Sequence, residues 1–231
     1  MIDSTPTEIP DHSGPLSRAP DTALLIVDPL NDFCLGGPLE VPHADEIIPV
    51  VNQLMRHRDY ALIVLIREEH PKGHISFASR HGRKPFTAAD LGSGQKQMLW
   101  PDHCITGTRG AELHPLLEVG PVDETVIKGE RKDVENYSGF EDDNGNDTGL
   151  TDLLREYEIK RVEIAGLATD YCVKETALHA VRAPREFQTI VLADATRAIH
   201  SEEAAYEEMR QAGIEIRHTG ALSSPTQDAS K

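Results

Sequence analysis

The stretch RVEIAGLATDYCVKETALHA, residues 161–180, places a strand and a helix in immediate succession. Arg161 to Gly166 is a short apolar run with branched side chains, the pattern of a strand buried in a parallel sheet. From Cys172 to Ala183 the pattern becomes helical. Comparable strand runs recur as ALLIV (Ala23 to Val27), ALIVLI (Ala61 to Ile66), ETVIK (Glu124 to Lys128), QTIVLA (Gln188 to Ala193) and IEIRH (Ile214 to His218). Further helical segments lie at Asp45 to Arg58, Leu150 to Tyr157 and Glu202 to Ala212, the last with Ser201 as its capping residue. Strands that alternate with helices need right-handed crossovers. The sequence therefore predicts an α/β fold, with a doubly wound, mostly parallel sheet of about six strands and helices on both faces.

At 231 residues the chain suits one large domain, expected over 21–220 between two flexible polar tails, 1–20 and 221–231. A formal net charge of -16, with no separate basic patch, argues against nucleic acid and anionic membranes as partners. No apolar run approaches the roughly 18 residues of a membrane span, and the N-terminus lacks a signal-peptide pattern, so a cytoplasmic protein is expected. Three widely spaced cysteines, Cys34, Cys104 and Cys172, fit neither a disulfide framework nor a paired-cysteine zinc site, which leaves at least one free thiol.

Ligands of open α/β sheets bind beyond the carboxyl ends of the strands. Asp28, Glu68 with His70, Lys128, and the segment Ala168 to Cys172 all follow strand ends, so four strands deliver chemical groups to one edge. Cys172, between strand and helix, is either a thiol activated by the helix start or a small core residue. Asp28 is either a buried proton acceptor or the cap of a turn. Lys128 is either a cation beside a thiolate or an ordinary strand-end lysine. Glu68, His70, His74, His81 and His103 offer imidazole and carboxylate ligands suited to Zn²⁺, Fe²⁺ or Mn²⁺, or else form a histidine-rich surface loop. Phe33, Trp100 and Tyr137 could line a slot for a flat ring or seal the core.

The motifs IVDPLNDFCLGG, HPKGHISFAS, WPDHC, VIKGE, YSGF and GLATDYCVKETALHA, in this order, resemble those of nicotinamidases within the isochorismatase-like hydrolase superfamily, from about Ala23 to Gly220. The resemblance implies hydrolysis of nicotinamide to nicotinate and ammonia, in the salvage of NAD. It implies a Cys172, Asp28, Lys128 trio, an oxyanion hole from the N–H groups of Ala168 and Cys172, and a cis peptide between Leu167 and Ala168. It further implies one divalent metal ion, zinc first and iron or manganese next, held by Glu68, His70 and His103 with His74 as an additional ligand. The slot for the pyridine ring would be Phe33, Trp100 and Tyr137, and a homo-oligomer stays open. Two positions depart from the family pattern: Glu68-x-His70 stands where Asp-x-His is usual, and Pro29 and Leu30 follow the catalytic aspartate in place of a residue pair ending in glutamine. Either change allows an altered carboxamide substrate, and the rival reading is another isochorismatase-like hydrolase acting on a different carboxamide, N-carbamoyl or ureido compound.

Overall fold

A computed structural model describes residues 19–57, 59–91, 96–182, 184–185 and 187–220. Strand β1 (Ala19–Val27) lies inside a six-stranded sheet with β2 (Tyr60–Glu68), β5 (Glu124–Lys128), β6 (Arg161–Leu167), β7 (Gln188–Arg197) and β8 (Glu215–Arg217). The order is β5-β2-β1-β6-β7-β8, and every pairing is parallel. A separate antiparallel pair, β3 (Thr87–Asp90) and β4 (Lys96–Leu99), has no counterpart in the apolar-run reading. Residues 1–18 and 221–231, most of the two expected tails, lie outside the described residues, as do Arg58 and Ala183 at the ends of two expected helices.

Residues Ala23 to Val27 of β1 have no solvent exposure, as expected of a central parallel strand. Their side chains alternate: Leu24 and Ile26 join one core, Ala23, Leu25 and Val27 the other. Helix α1 (Ile47–His57) covers the first face through Ile47, Ile48, Val51 and Leu54. Helices α2 (Leu150–Glu156), α3 (Lys174–Val181) and α4 (Glu202–Gln211) supply the second core, with Leu150, Leu154, Ala177 and Met209 among its members. Ser201 caps α4 as its sequence predicts, accepting from the Ala204 N–H at 3.3 Å.

Chain direction across the sheet reverses at β1: β2 and β5 extend to one side, β6, β7 and β8 to the other. The loops after β1 and β6 consequently diverge and open a crevice at the carboxyl edge. Asp28 and the Ala168 to Cys172 segment flank that crevice.

Candidate active site

Asp28 directly follows β1 and has a left-handed backbone, φ 48°. Its N–H donates to the Ile66 carbonyl at 2.9 Å, which ties the turn to β2. A non-glycine residue at positive φ is uncommon, and such positions cluster at functional sites. Glu68 and Lys128 end neighbouring strands as register partners, so both side chains leave the same face. Lys128 Nζ lies 2.9 Å from Asp28 Oδ2, 2.7 Å from Glu68 Oε1 and 3.4 Å from Cys172 Sγ, and it donates to the Asn136 carbonyl at 3.3 Å. All four of Asp28, Glu68, Lys128 and Cys172 are buried. The Asp28 carboxylate is paired with this ammonium at 2.9 Å, and one of its oxygens lies within 4.8 Å of the Cys172 sulfur, close to the proton it would accept.

Cys172 sits in a single wide turn, Thr169–Val173, and α3 starts only at Lys174. This corrects the expectation that the helix starts at the cysteine. The Ala168 carbonyl accepts from both Tyr171 and Val173 N–H groups at 3.1 Å, which widens the turn. The Leu167–Ala168 peptide is cis. Asp170, on the same turn, accepts from the N–H groups of Ile199 at 2.9 Å, His200 at 2.8 Å and Ser201 at 3.4 Å, and so fastens the loop after β7 to the Cys172 turn.

Burial raises Asp28 from its ordinary value near 3.8 to about 6, against the opposing pull of Lys128. Burial also pushes the Cys172 thiol well above its usual range; Lys128 counters this while Glu68 and Asp28 add to it. Burial thus favours the thiol form of Cys172 at rest. For Lys128, burial would lower the pKa, but Asp28, Cys172 and Glu68 together hold it well above its usual value as a permanent cation.

Glu68, His70 and His103 bring one ligand atom each within 4.8 Å of one another, all buried. Glu68 Oε2 lies 3.5 Å from His70 Nε2 and 3.2 Å from His103 Nε2. His70 Nδ1 meets the Gly129 carbonyl at 2.9 Å and His103 Nδ1 the Pro101 carbonyl at 2.8 Å. A carbonyl can only accept, so each Nδ1 carries the proton and each Nε2 lone pair is free to ligate, the usual outer support of a metal-bound histidine. Gly129, at φ +81°, is needed here: a Cβ on it would lie 2.7 Å from His70 Cε1. The donor set fits a divalent ion of the zinc, iron or manganese type.

His74 does not join this set. Its Nε2 contacts the Val134 carbonyl at 2.9 Å and its Nδ1 the Ser76 hydroxyl at 2.8 Å, so both ring nitrogens are committed, although they come near His70 and Glu135. His81 Nε2 meets the Ile75 carbonyl at 2.7 Å and belongs to no ligand cluster among the described residues.

Phe33, Trp100 and Tyr137 meet in one pocket with Glu68, His103, Ala168 and Cys172. Trp100 Nε1 donates to the Tyr137 hydroxyl at 2.9 Å. Leu39, Tyr171, Ile199 and Glu135 complete the wall. Tyr171 adjoins Cys172 in the motif and could have been found there, whereas Ile199 and Glu135 sit in loops without any sequence signal.

The isochorismatase domain family matches residues 22–220. A nicotinamidase of Acinetobacter baylyi is 42% identical over 205 residues, covering 87% of this chain and 94% of that protein. The solved structure of an Acinetobacter baumanii nicotinamidase and pyrazinamidase has a TM-score of 0.81 at 40% identity, covering 86% of this chain and 96% of that one. A Pyrococcus horikoshii pyrazinamidase, solved in complex with zinc, has a TM-score of 0.72 at 39% identity over 86% of this chain and 99% of its own. With its switch-point crevice and buried cysteine, aspartate and lysine, the chain belongs to the isochorismatase family and, within it, to the nicotinamidases.

Proposed function

We propose that the chain hydrolyses nicotinamide to nicotinate and ammonia through a thioester on Cys172. The observation that carries this reading is the contact of Lys128 Nζ with Asp28, Glu68 and Cys172 at once, beside an aromatic pocket sized by Phe33, Trp100 and Tyr137. Asp28 and Cys172 bring an oxygen and the sulfur within 4.8 Å, so the carboxylate takes the thiol proton as Sγ attacks the carboxamide carbon. Lys128 stays charged and stabilises the sulfur as negative charge develops there. The N–H groups of Ala168 and Cys172 would receive the oxyanion, a role worth roughly 3–4 kcal/mol per donor in comparable sites. Protonated Asp28 then returns the proton to the leaving ammonia, and water hydrolyses the thioester.

Glu68, His70 and His103 would hold the divalent ion. When bound, it supplies a Lewis-acid contact for the pyridine ring nitrogen and so orients the ring. Zinc is the first candidate, in line with the zinc-bound Pyrococcus horikoshii relative. Three unpaired, buried cysteines suit a reducing cytoplasm, where nicotinamide is salvaged toward NAD. Ammonia release from nicotinamide by the unaltered chain, its loss in Cys172→Ala, and its loss on chelation test the reading. Turnover confined to an N-carbamoyl or ureido compound would replace the substrate, and release that survives Cys172→Ala would remove the mechanism.

A further inference from the structure

A half-buried carboxylate outside the pocket ties its aromatic wall to the candidate metal ligands. Asp32 sits on the one-turn helix Asn31–Phe33, next to Phe33. Its Oδ2 accepts the Cys104 N–H at 2.7 Å, and its carbonyl accepts the Leu39 N–H at 3.2 Å. Phe33 and Leu39 both line the pocket, so the Asp32 backbone holds the two arms of that loop together. Cys104 follows His103 directly, and its carbonyl accepts the His70 N–H at 2.8 Å. It has a left-handed backbone, φ 47°, which a residue with a side chain keeps only where its neighbours hold it. Asp32 supplies that hold on the N–H of Cys104, and His70 supplies it on the carbonyl. Gly110 closes over the carboxylate: an ideal Cβ there would lie 2.0 Å from Asp32 Oδ2 and 2.3 Å from its Cγ. Asn31 pins this approach, donating from Nδ2 to the Arg109 carbonyl at 2.8 Å and from its N–H to the Glu112 carbonyl at 3.0 Å. None of these bonds reaches Asp28, Lys128 or Cys172.

We propose that Asp32 is a positioning residue: through Cys104 it sets how His103 and His70 approach the ion, and through its own backbone it sets the Phe33 and Leu39 wall. Losing the Cys104 bond frees a strained peptide that follows one metal ligand and bonds the other. It also frees the loop that carries the wall. Metal affinity and the fit of the ring therefore depend on the same hydrogen bond. The effect on the ring rests on the nicotinamidase reading above, whereas the effect on the metal needs only the Glu68, His70 and His103 set.

The test reads zinc affinity by equilibrium dialysis against a competing chelator, and KM and kcat from ammonia release at saturating zinc. Asp32→Ala is expected to weaken zinc about tenfold, the lower end of the range for lost outer support of a metal site, and to raise KM for nicotinamide severalfold while kcat falls less. Asp32→Asn keeps an oxygen for the Cys104 N–H and is expected to restore both. Gly110→Ala leaves Asp32 in place but drives its carboxylate off Cys104, so it should reproduce the Asp32→Ala losses. Added to Asp32→Ala it should cost little more, because the atoms that its Cβ would strike are gone. Unchanged zinc affinity in Asp32→Ala, equal losses in Asp32→Ala and Asp32→Asn, additive losses in the double variant, or a loss confined to kcat each overturn the proposal. Should Asp32→Ala not fold, the other two variants still decide: Gly110→Ala must bind zinc more weakly than Asp32→Asn, and equality or the reverse order overturns the positioning role. Absence of nicotinamide turnover by the unaltered chain removes the parent reading, and zinc affinity alone then decides the role of Asp32. Turnover with zinc affinity unshifted in the variants removes that role and leaves the parent reading standing.

Discussion

Glu68 Oε1 lies 2.7 Å from Lys128 Nζ, and the same carboxylate turns its other oxygen toward His70 and His103. One side chain thus joins the candidate metal ligands to the buried cation Lys128. The Lys128 ammonium holds Glu68 well below the usual carboxylate range, against the opposing effect of burial, so it is ionised whenever the enzyme works. The register pairing of Glu68 with Lys128 fixes both arms on one face of the sheet. An arm one methylene shorter would have to give up one of its two ends.

Glu68→Asp tests that geometry. Removing a methylene withdraws the carboxylate by about 1.5 Å, enough to break either the lysine contact or the approach to the histidines. Metal retained after dialysis against a graded chelator is expected to fall at least tenfold in apparent affinity, in the range seen when support of a metal site is disturbed. Retention equal to that of the unaltered chain would show that the site tolerates either acid.

The acid limb of the pH profile follows from Asp28. Its proton-accepting form is the carboxylate, and burial raises the group from near 3.8 to about 6. As pH falls through about 6 the base is lost, so kcat/KM should drop by about tenfold per pH unit below it. Above that value the limb is flat. Asp28→Asn should remove activity at every pH, with no recovery on the alkaline side. An acid limb near 4 would contradict the burial argument.

Much of this was legible in the sequence, for physical reasons. The β1, β2 and β6 runs are buried on both faces, which leaves uninterrupted apolar stretches, and the strand-end rule then puts Asp28, Glu68, Lys128 and Cys172 on one edge. The pair β3 and β4 escaped because each strand buries a single residue, Ala89 in β3 and Leu99 in β4, so no apolar run marks it. The burial that raises the Cys172 thiol has no mark in the local sequence, which shows only a nearby helix start. Ile199 and Asp170 reach the site through a loop contact spanning 29 positions, which no local pattern records.

Asp170 itself yields a prediction that separates positioning from chemistry. Its carboxylate gathers three successive N–H groups of the loop that carries Ile199 into the pocket. Hydrogen bonds to a charged group contribute about 1.5–3 kcal/mol each, so Asp170→Ala should release the loop. KM for nicotinamide should rise severalfold while kcat falls less. Asp170→Asn, with one oxygen left, should lie between. A fall in kcat alone would assign Asp170 to the chemical step instead.

Gly166 of β6 is the register partner of Val27 of β1, the residue before Asp28. Its φ is +120°, a conformation closed to residues with a side chain, and an ideal Cβ would fall 2.0 Å from the Val27 carbonyl oxygen and 2.6 Å from its nitrogen. Both obstacles are backbone, so neither can move aside as a side-chain end could. Gly166→Ala must either push the two strands apart at the centre of the sheet or force β6 into a new backbone path. The expected cost is more than about 3 kcal/mol, in the tail of single-substitution effects reached by backbone strain and overpacking. Urea denaturation should show a much lower midpoint. Any folded fraction should have low activity with normal metal content, because the displaced groups are Asp28 and the Leu167 to Cys172 turn, while Glu68, His70 and His103 belong to other elements. A midpoint equal to that of the unaltered chain would mean that β1 and β6 are not locked together at the crevice.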